Sequence, residues 1–426
     1  MRAWMILWVV LLPQDPSDQV RALVEKLGSD EIAAREQAAA ELVKLGPAAI
    51  PAMRAQLAKT DGERRARLEA VVKKIERDDK VAKLLAPGPT VTLKAKDRPA
   101  AEVIAEIQKQ TGIPIDGRDI PAGTLLSIDA VDLPITKALD GLCRSHGGLR
   151  PSWMLSGVQL VRGTYRPGPS CESGPFSFVL ESLPFTNPSE GRASFAMIGY
   201  LIGPPGRLPE TAWVDVEKME DDQGTDLGQS TPPRNSNKAT NHRTIWTQVP
   251  EENRVAIGSI WQIPRLPAEG ATRVKLCRGQ VRMSFALEIH AVVTVKEPTQ
   301  LAAAPVSASA GGRSVRIVRF AKEGDNLRFG YVVTRTEEAA PPAGYWASYR
   351  PQQLVLQDAA GHRLTGRFGK EGSMLRDDGT TRQYEFDGEV EFTLPKDFKP
   401  AELILLESTD RVDLTFPFEF RDIRFR

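Results

Sequence analysis

The chain is poor in the residues that build reactive and metal-bound centres. It has 3 cysteines and 4 histidines in 426 residues. Cys143, Cys171 and Cys277 lack the close pairing that a zinc site draws on. His146, His242, His290 and His362 fall in four separate segments. No metal, cofactor or catalytic residue is therefore expected. A Gly-x-Ser-x-Gly elbow, a His-Glu-x-x-His helix, a phosphate-binding P-loop and a Gly-x-Gly-x-x-Gly turn are also missing. Cys143-x-x-His146 has helical spacing and reads as packing near a helix end, with Cys143 a small core residue. Asp377-Asp378-Gly379 with Glu385 and Asp387 lacks the ligand spacing of a calcium loop and reads as turn chemistry. Charge of one sign is missing too. With 56 basic and 55 acidic side chains the net charge is +1, which gives no field to gather nucleic acid or an anionic membrane. Between 61 and 83 the cations alternate with Asp and Glu, the pattern of a solvated helix face.

No apolar run is long enough to span a bilayer as a helix. Ala3–Leu12 (AWMILWVVLL) is uninterrupted but short; ten residues rise about 15 Å, half of a hydrocarbon core. Arg2 precedes it, and Pro13, Asp15 and Asp18 follow. That is the plan of a secretory signal ending near residue 17. The alternatives are a buried N-terminal helix and an uncleaved membrane anchor. With no cysteine beside the run, a lipid-attachment site is not expected, and the chain is assigned to the periplasm or the secreted fraction.

What is present is organised in blocks. Val20, Leu23, Val24 and Leu27 form one helical stripe; Ala38, Leu42 and Leu45 a second; Ile50, Met53 and Leu57 a third; Leu68, Val71, Val72 and Ile75 a fourth. Gly28 and Gly46 stop helices, Ser29 is a candidate cap, and Thr60-x-x-Glu63 has the form of a capping box. Lys-Leu-Gly recurs at 26–28 and 44–46. Short helices with Gly-Pro turns and alanine-rich contacts over 18–85 resemble HEAT-like repeats. Such repeats bury their faces only by stacking, so a short array implies docking to something else.

After Ala86-Pro87-Gly88-Pro89, a βαββαββ order is legible over 90–163. The strand VTLKAKD (91–97), the helix start Arg98-Pro99-Ala100, the helix stop Gln110-Thr111-Gly112-Ile113 and the second helix PITKALDGLC (134–143) carry it. This segment resembles the short N-terminal (STN) domain of secretins and TonB-dependent receptors. The resemblance implies a periplasmic interaction module. The sequence downstream resembles neither a secretin pore nor a receptor barrel.

Gly163–Pro175 reads as a linker, and strands follow: 176–183, 194–203, 212–219, 255–263, 272–277 and 281–295, with a long polar loop at 220–243. Residues 297–312 form a further linker, and 313–426 alternate again. Val412, Leu414, Phe416, Phe418 and Phe420 share one face, and Pro417 marks an edge. The expected fold is multidomain α+β: a short helical repeat, a small βαββαββ domain, and two antiparallel β-sandwiches at 176–297 and 313–426.

Two candidate sites remain. Cys171 precedes the first strand of the β-rich region and Cys277 ends a later one, so an exported chain has a candidate Cys171–Cys277 disulfide; three free thiols are the alternative. Tyr345, Trp346 and Tyr349 form an aromatic cluster suited to stacking on sugar rings, or to core packing. The expected function is a non-catalytic interaction or scaffold protein of the bacterial cell envelope whose partners are envelope or secreted proteins. A polysaccharide-binding protein using the aromatic cluster is the rival. A hydrolase whose carboxylates come from distant strands is the third reading. N-terminal sequencing of exported material is expected to start near residues 13–17. An intact Met1 in a cytoplasmic fraction would overturn the export assignment.

Overall fold

The computed structural model describes residues 16–154, 157–182, 185–186, 194–228, 243–246, 255–263, 266–300, 306–310, 312–337, 353–377 and 382–425. The chain divides into two compact units, at Ala86 and Pro87. The architecture is multidomain α+β: N-terminal helices, a small mixed α/β region and several antiparallel sheets.

The first unit holds α1 (Pro16–Lys26), α2 (Ile32–Leu45), a single 3-10 turn at 47–49, α3 (Ile50–Leu57) and α4 (Gly62–Leu85). The apolar stripes meet in one core: Val20, Leu23, Val24 and Leu27 of α1 pack with Leu42, Met53, Leu68 and Val71. Two capping expectations change. Ser29 Oγ accepts from the N–H of Glu31 (3.3 Å), and Glu31, not Ser29, holds the N-cap position of α2. Thr60 Oγ donates back to the Gln56 carbonyl (3.1 Å), so it closes α3 rather than opening α4. Ser and Thr hydroxyls bond whichever nearby backbone group the chain direction offers.

In the second unit, β1 (Thr90–Pro99), α5 (Ala100–Thr111), β2 (Ile115–Asp116), β3 (Leu125–Pro134), α6 (Ile135–His146), β4 (Leu149–Met154) and β5 (Gly157–Arg162) follow in the expected βαββαββ order. β1 pairs with β3 antiparallel; β4 and β5 form a hairpin, with β2 parallel to β5. Both strand-to-helix junctions have the same plan. Asp97 and Asp132 take φ of 48° and 53°, and Pro99 and Pro134 cap α5 and α6. Proline suits a helix start because its missing N–H would be unpaired there. The core of this region, with Val103, Ile107, Leu139 and Leu142, is continuous with Ile202, Val255 and Ala256 further along the chain.

The rest is antiparallel: β6 (Ser170–Ser173), β7 (Phe176–Ser182), β8 (Phe185–Thr186), β9 (Ser194–Ile202), β10 (Thr211–Asp221), β11 (Arg243–Trp246), β12 (Ala256–Ile263), β13 (Arg273–Lys296), β14 (Val306–Ala310), β15 (Arg313–Glu323), β16 (Asn326–Glu337), β17 (Gln353–Asp358), β18 (Arg363–Thr365), β19 (Arg367–Asp377), β20 (Arg382–Thr393) and β21 (Pro400–Arg424). Three sheets result, in the orders β12-β9-β7-β6, β11-β10-β13-β21-β17-β18 and β14-β15-β16-β20-β19.

The strands expected at 272–277 and 281–295 are one strand, β13. Gly279, between the two expected strands, pairs with Val216 and Phe418 on either side. A Cβ there would come 2.0 Å from the Asp215 carbonyl, so glycine allows the close approach. β13 and β21 pair from Arg273↔Arg424 to Lys296↔Glu402, with register shifts between Ala286 and Val293. On one side of those shifts, Phe285 of β13 and Phe416 of β21 pack on Phe176 of β7, at ring distances of 5.8 and 5.0 Å. On the other side, Val293, Val295, Leu403 and Leu405 share a core with Phe329 and Phe392 of β16 and β20. One central sheet thus serves both cores. β21 is an interior strand of its sheet, not the edge strand that Pro417 suggests; Pro417 itself pairs with Gln280 of β13 and lies beyond the β17 pairing at 400–406.

Buried charges mark the waist between the two cores. Arg411 pairs with Glu210 at 3.2 Å, and Arg313 of β15 pairs with Glu407 of β21. Burial pushes the Glu210 carboxyl up, and Arg411 partly offsets it. Such pairs add little net stability over apolar packing, but breaking one strands a buried charge.

The polar insertion after β10 begins as packed structure. Asp221 is fully buried. Its Oδ1 accepts from the N–H of Gln223 (3.0 Å) and Thr225 (2.8 Å), and its Oδ2 from the N–H of Ala268 (2.8 Å). Burial opposes its ionisation, but these hydrogen bonds outweigh it and hold the pKa below the ordinary 3.8. Asp221→Asn places an amide donor among these N–H groups and is expected to lower stability by about 1–3 kcal/mol in urea unfolding. The contribution is complete above pH 3.8 and disappears as pH falls through the depressed folded value, so wild type and variant should converge in acid.

Candidate functional site

The helical unit carries an open groove of 690 Å³ between α2 and α4. Its origin is the sequence of α2. Ala38, Ala39 and Ala40 make one side of the helix thin, and Ala38 alone of the three is fully buried in the core. Ala39 and Ala40 face the groove, opposite Ala70 of α4. Leu27, Val43 and Val71 supply the floor, and Ile32, 64% exposed, stands at the rim. Ile32 carries the apolar lining of the groove out to its exposed edge.

The rim is charged and lopsided. Arg35, Lys44, Arg67 and Lys74 border the groove, against Glu36 as the acid. Arg35 is anchored to the α1–α2 loop through the carbonyls of Ser29 (2.9 Å) and Asp30 (3.2 Å). Arg67 pairs with Glu63, and Lys74 with Asp78 at 3.0 Å, each one turn along α4. Exposed pairs of that kind hold side chains in place weakly and exchange readily for another partner. The surface suits an apolar segment flanked by acidic residues. Its lining contains no Ser, Thr, Cys, His or Tyr.

The residues singled out from sequence fall elsewhere. Tyr345, Trp346 and Tyr349 lie outside the described residues, as do His242 and the apolar segment 3–12. His290 Nε2 is 3.2 Å from Glu288 Oε2, and His362 Nδ1 is 2.9 Å from Asp358 Oδ2; both histidines are exposed. The His362 contact holds the Asp358 carboxyl below its usual value. His146 Nδ1 accepts from the Gly148 N–H (3.2 Å). Cys143 is buried in the α6 core, its thiol pushed up to about 12 by burial and then by the Asp140 carboxylate. A thiol in that state is inert. Among the described residues, no group of three or more His, Cys, Asp or Glu is placed to hold a metal ion, and no helix is long and apolar enough to cross a membrane.

Cys171 and Cys277 are free thiols, as is Cys143. The fold nevertheless brings the candidate pair into one neighbourhood. β6 crosses β21, where Cys171 takes a hydrogen bond from the Glu419 backbone, and Cys277 is the ladder partner of Phe420. Burial pushes the Cys277 thiol up to about 12, with the nearby Cys171 as a second cause. Burial also raises Cys171, against the opposing Glu419 hydrogen bond.

No family model, no curated protein and no solved structure matches the chain.

The groove was not singled out in the sequence. The signal was present in the triple alanine at 38–40 and in Ile32, an apolar residue off the α2 stripe. Thiol labelling checks the cysteine geometry. The native protein should react first at Cys171, which is partly buried, while Cys143 and Cys277 stay protected. Unfolding without reductant should then expose three alkylatable thiols. Mass spectrometry finding one alkylatable thiol would instead show a Cys171–Cys277 bridge.

Proposed function

We propose that this chain is an exported, non-catalytic interaction protein of the bacterial cell envelope. In this reading the helical region works as a HEAT-like unit and the segment 90–163 as a module similar to the STN domain. The N-terminal signal places it in the periplasm or the secreted fraction, and its partners are envelope or secreted proteins. The observation that carries the reading is the groove between α2 and α4, with an apolar floor, exposed Ile32 and a rim of four cations against one acid. Charge complementarity commits the occupant to an apolar protein segment with Asp or Glu on its flanks. The shortness of the helical array supports the same conclusion, because stacked helices with so few neighbours leave a face to be covered.

A photo-crosslinking residue at Ala40 in the full-length chain tests this. Irradiation in the envelope is expected to give a discrete protein adduct. Ile32→Glu, an exposed change that leaves folding within about 0.5 kcal/mol, should reduce that adduct about tenfold, and raised salt should weaken it. Retention of polysaccharide with no protein adduct, or an adduct indifferent to Ile32→Glu, would overturn the reading.

A further inference from the structure

The second unit contains a cleft of 340 Å³ where α6, β4, β7 and residues 164–170 meet. By composition the segment after Gly163 is a linker, but it is tied down along its length. The Gly163 N–H donates to the Gly148 carbonyl (3.0 Å), and the Pro169 carbonyl accepts from the Leu180 N–H (3.0 Å). The Tyr165 hydroxyl donates to Asp140 Oδ1, and Lys137 Nζ donates to Ser170 Oγ (2.8 Å). At Gly168 a Cβ would come 2.0 Å from the Leu180 carbonyl oxygen, so glycine lets the segment lie flat on β7. A strap held at four points forms a fixed wall.

The cleft is cationic above an apolar base. Lys137 and Arg144 lie on one face of α6, seven residues apart. Arg150 comes from β4 and Arg166 from the strap. The lining contains one carboxylate, Asp140, which is held by Arg144 at 2.9 Å and by the Tyr165 hydroxyl. Burial and the Asp140 charge push the Tyr165 phenol far up, so it remains a donor. Trp153, Val179 and Leu180 supply the base, with Trp153 only 7% exposed. A space of this volume suits a small molecule or one terminal group of a larger one. Guanidinium groups brought to one cleft from separate elements suit the oxygens of phosphate or carboxylate in shape and charge.

We propose that the cleft walled by residues 164–170 is a binding site for a small polyanion bearing phosphate or carboxylate groups, held by Lys137, Arg150 and Arg166 over Trp153. Among the lining residues cations outnumber carboxylates, which favours an anionic occupant. The strap keeps the cations in place before binding, which removes part of the ordering cost. The site is on the other unit from the α2–α4 groove and does not depend on that groove having a partner.

Calorimetric titration of the full-length chain at low ionic strength tests it, with inorganic pyrophosphate and citrate as separate probes. The expected result is saturable binding of one or both at a single site, weakened about tenfold or more by Arg166→Gln and by Lys137→Gln, as for the loss of a charge-assisted hydrogen bond. Lys322→Gln, an exposed cation outside both the cleft and the helical groove, should leave binding unchanged. Pyrophosphate alone would assign the phosphate class, citrate alone the carboxylate class. Arg166 is exposed, so its variant should unfold at the wild-type midpoint and keep the test valid if Lys137→Gln is destabilised. No saturable binding of either probe up to about 10 mM, well above working affinities for specific sites, or binding indifferent to both cleft variants, would overturn the proposal.

Discussion

The second unit depends on the pairing of β13 with β21. These strands run side by side from Arg273↔Arg424 to Lys296↔Glu402. Through them, residues far apart in the chain become the shared wall of two cores. One end carries Phe285 and Phe416 against Phe176; the other carries Val293, Val295, Leu403 and Leu405 against the β16–β20 layer. Because successive side chains on a strand face opposite ways, a slip of one residue would turn both apolar sets outward. The register is therefore held by both cores together. The shifts between Ala286 and Val293 let the sheet bend from one core to the next, and the pairs Glu210–Arg411 and Arg313–Glu407 occupy that bend.

The same sheet system gives the mixed α/β region its footing. Its core runs on into Ile202, Val255 and Ala256, and the strap at 163–170 binds α6 to β7. The cationic cleft follows from that junction: helix, hairpin and strap each bring cations, and the junction buries Trp153 beneath them. The helical unit is organised differently. Its core is local, its helices are consecutive, and its groove comes from three alanines in a row rather than from distant segments.

Much of the helical unit was legible because helical periodicity is a local signal. Val20, Leu23, Val24 and Leu27 are spaced to be buried together, and they are. The order βαββαββ was legible for the same reason, with Gly112 and Gly147 ending the two helices. Capping was less so, since Ser29 and Thr60 have several backbone partners within reach and the chain path selects among them. The single strand β13 was read as two, at 272–277 and 281–295, because a close approach between three strands at Gly279 leaves no local pattern. The groove left its trace in Ala38–Ala40 and Ile32. The cleft left almost none, since Lys137, Arg150 and Arg166 are unremarkable cations until the strap folds back.

By itself the sequence determined the order of helical and extended blocks, the apolar faces each block must bury, and the scarcity of metal-binding and nucleophilic side chains. Those are consequences of residue type and spacing within a few turns or strands. Tertiary structure alone decided that β13 and β21 are partners, that Cys171 and Cys277 share a neighbourhood, and that a linker is a strap. Each of these joins residues through contacts that no local pattern encodes. Pairing across such separations is chosen by the joint burial of whole faces, and that is a property of the assembled sheets.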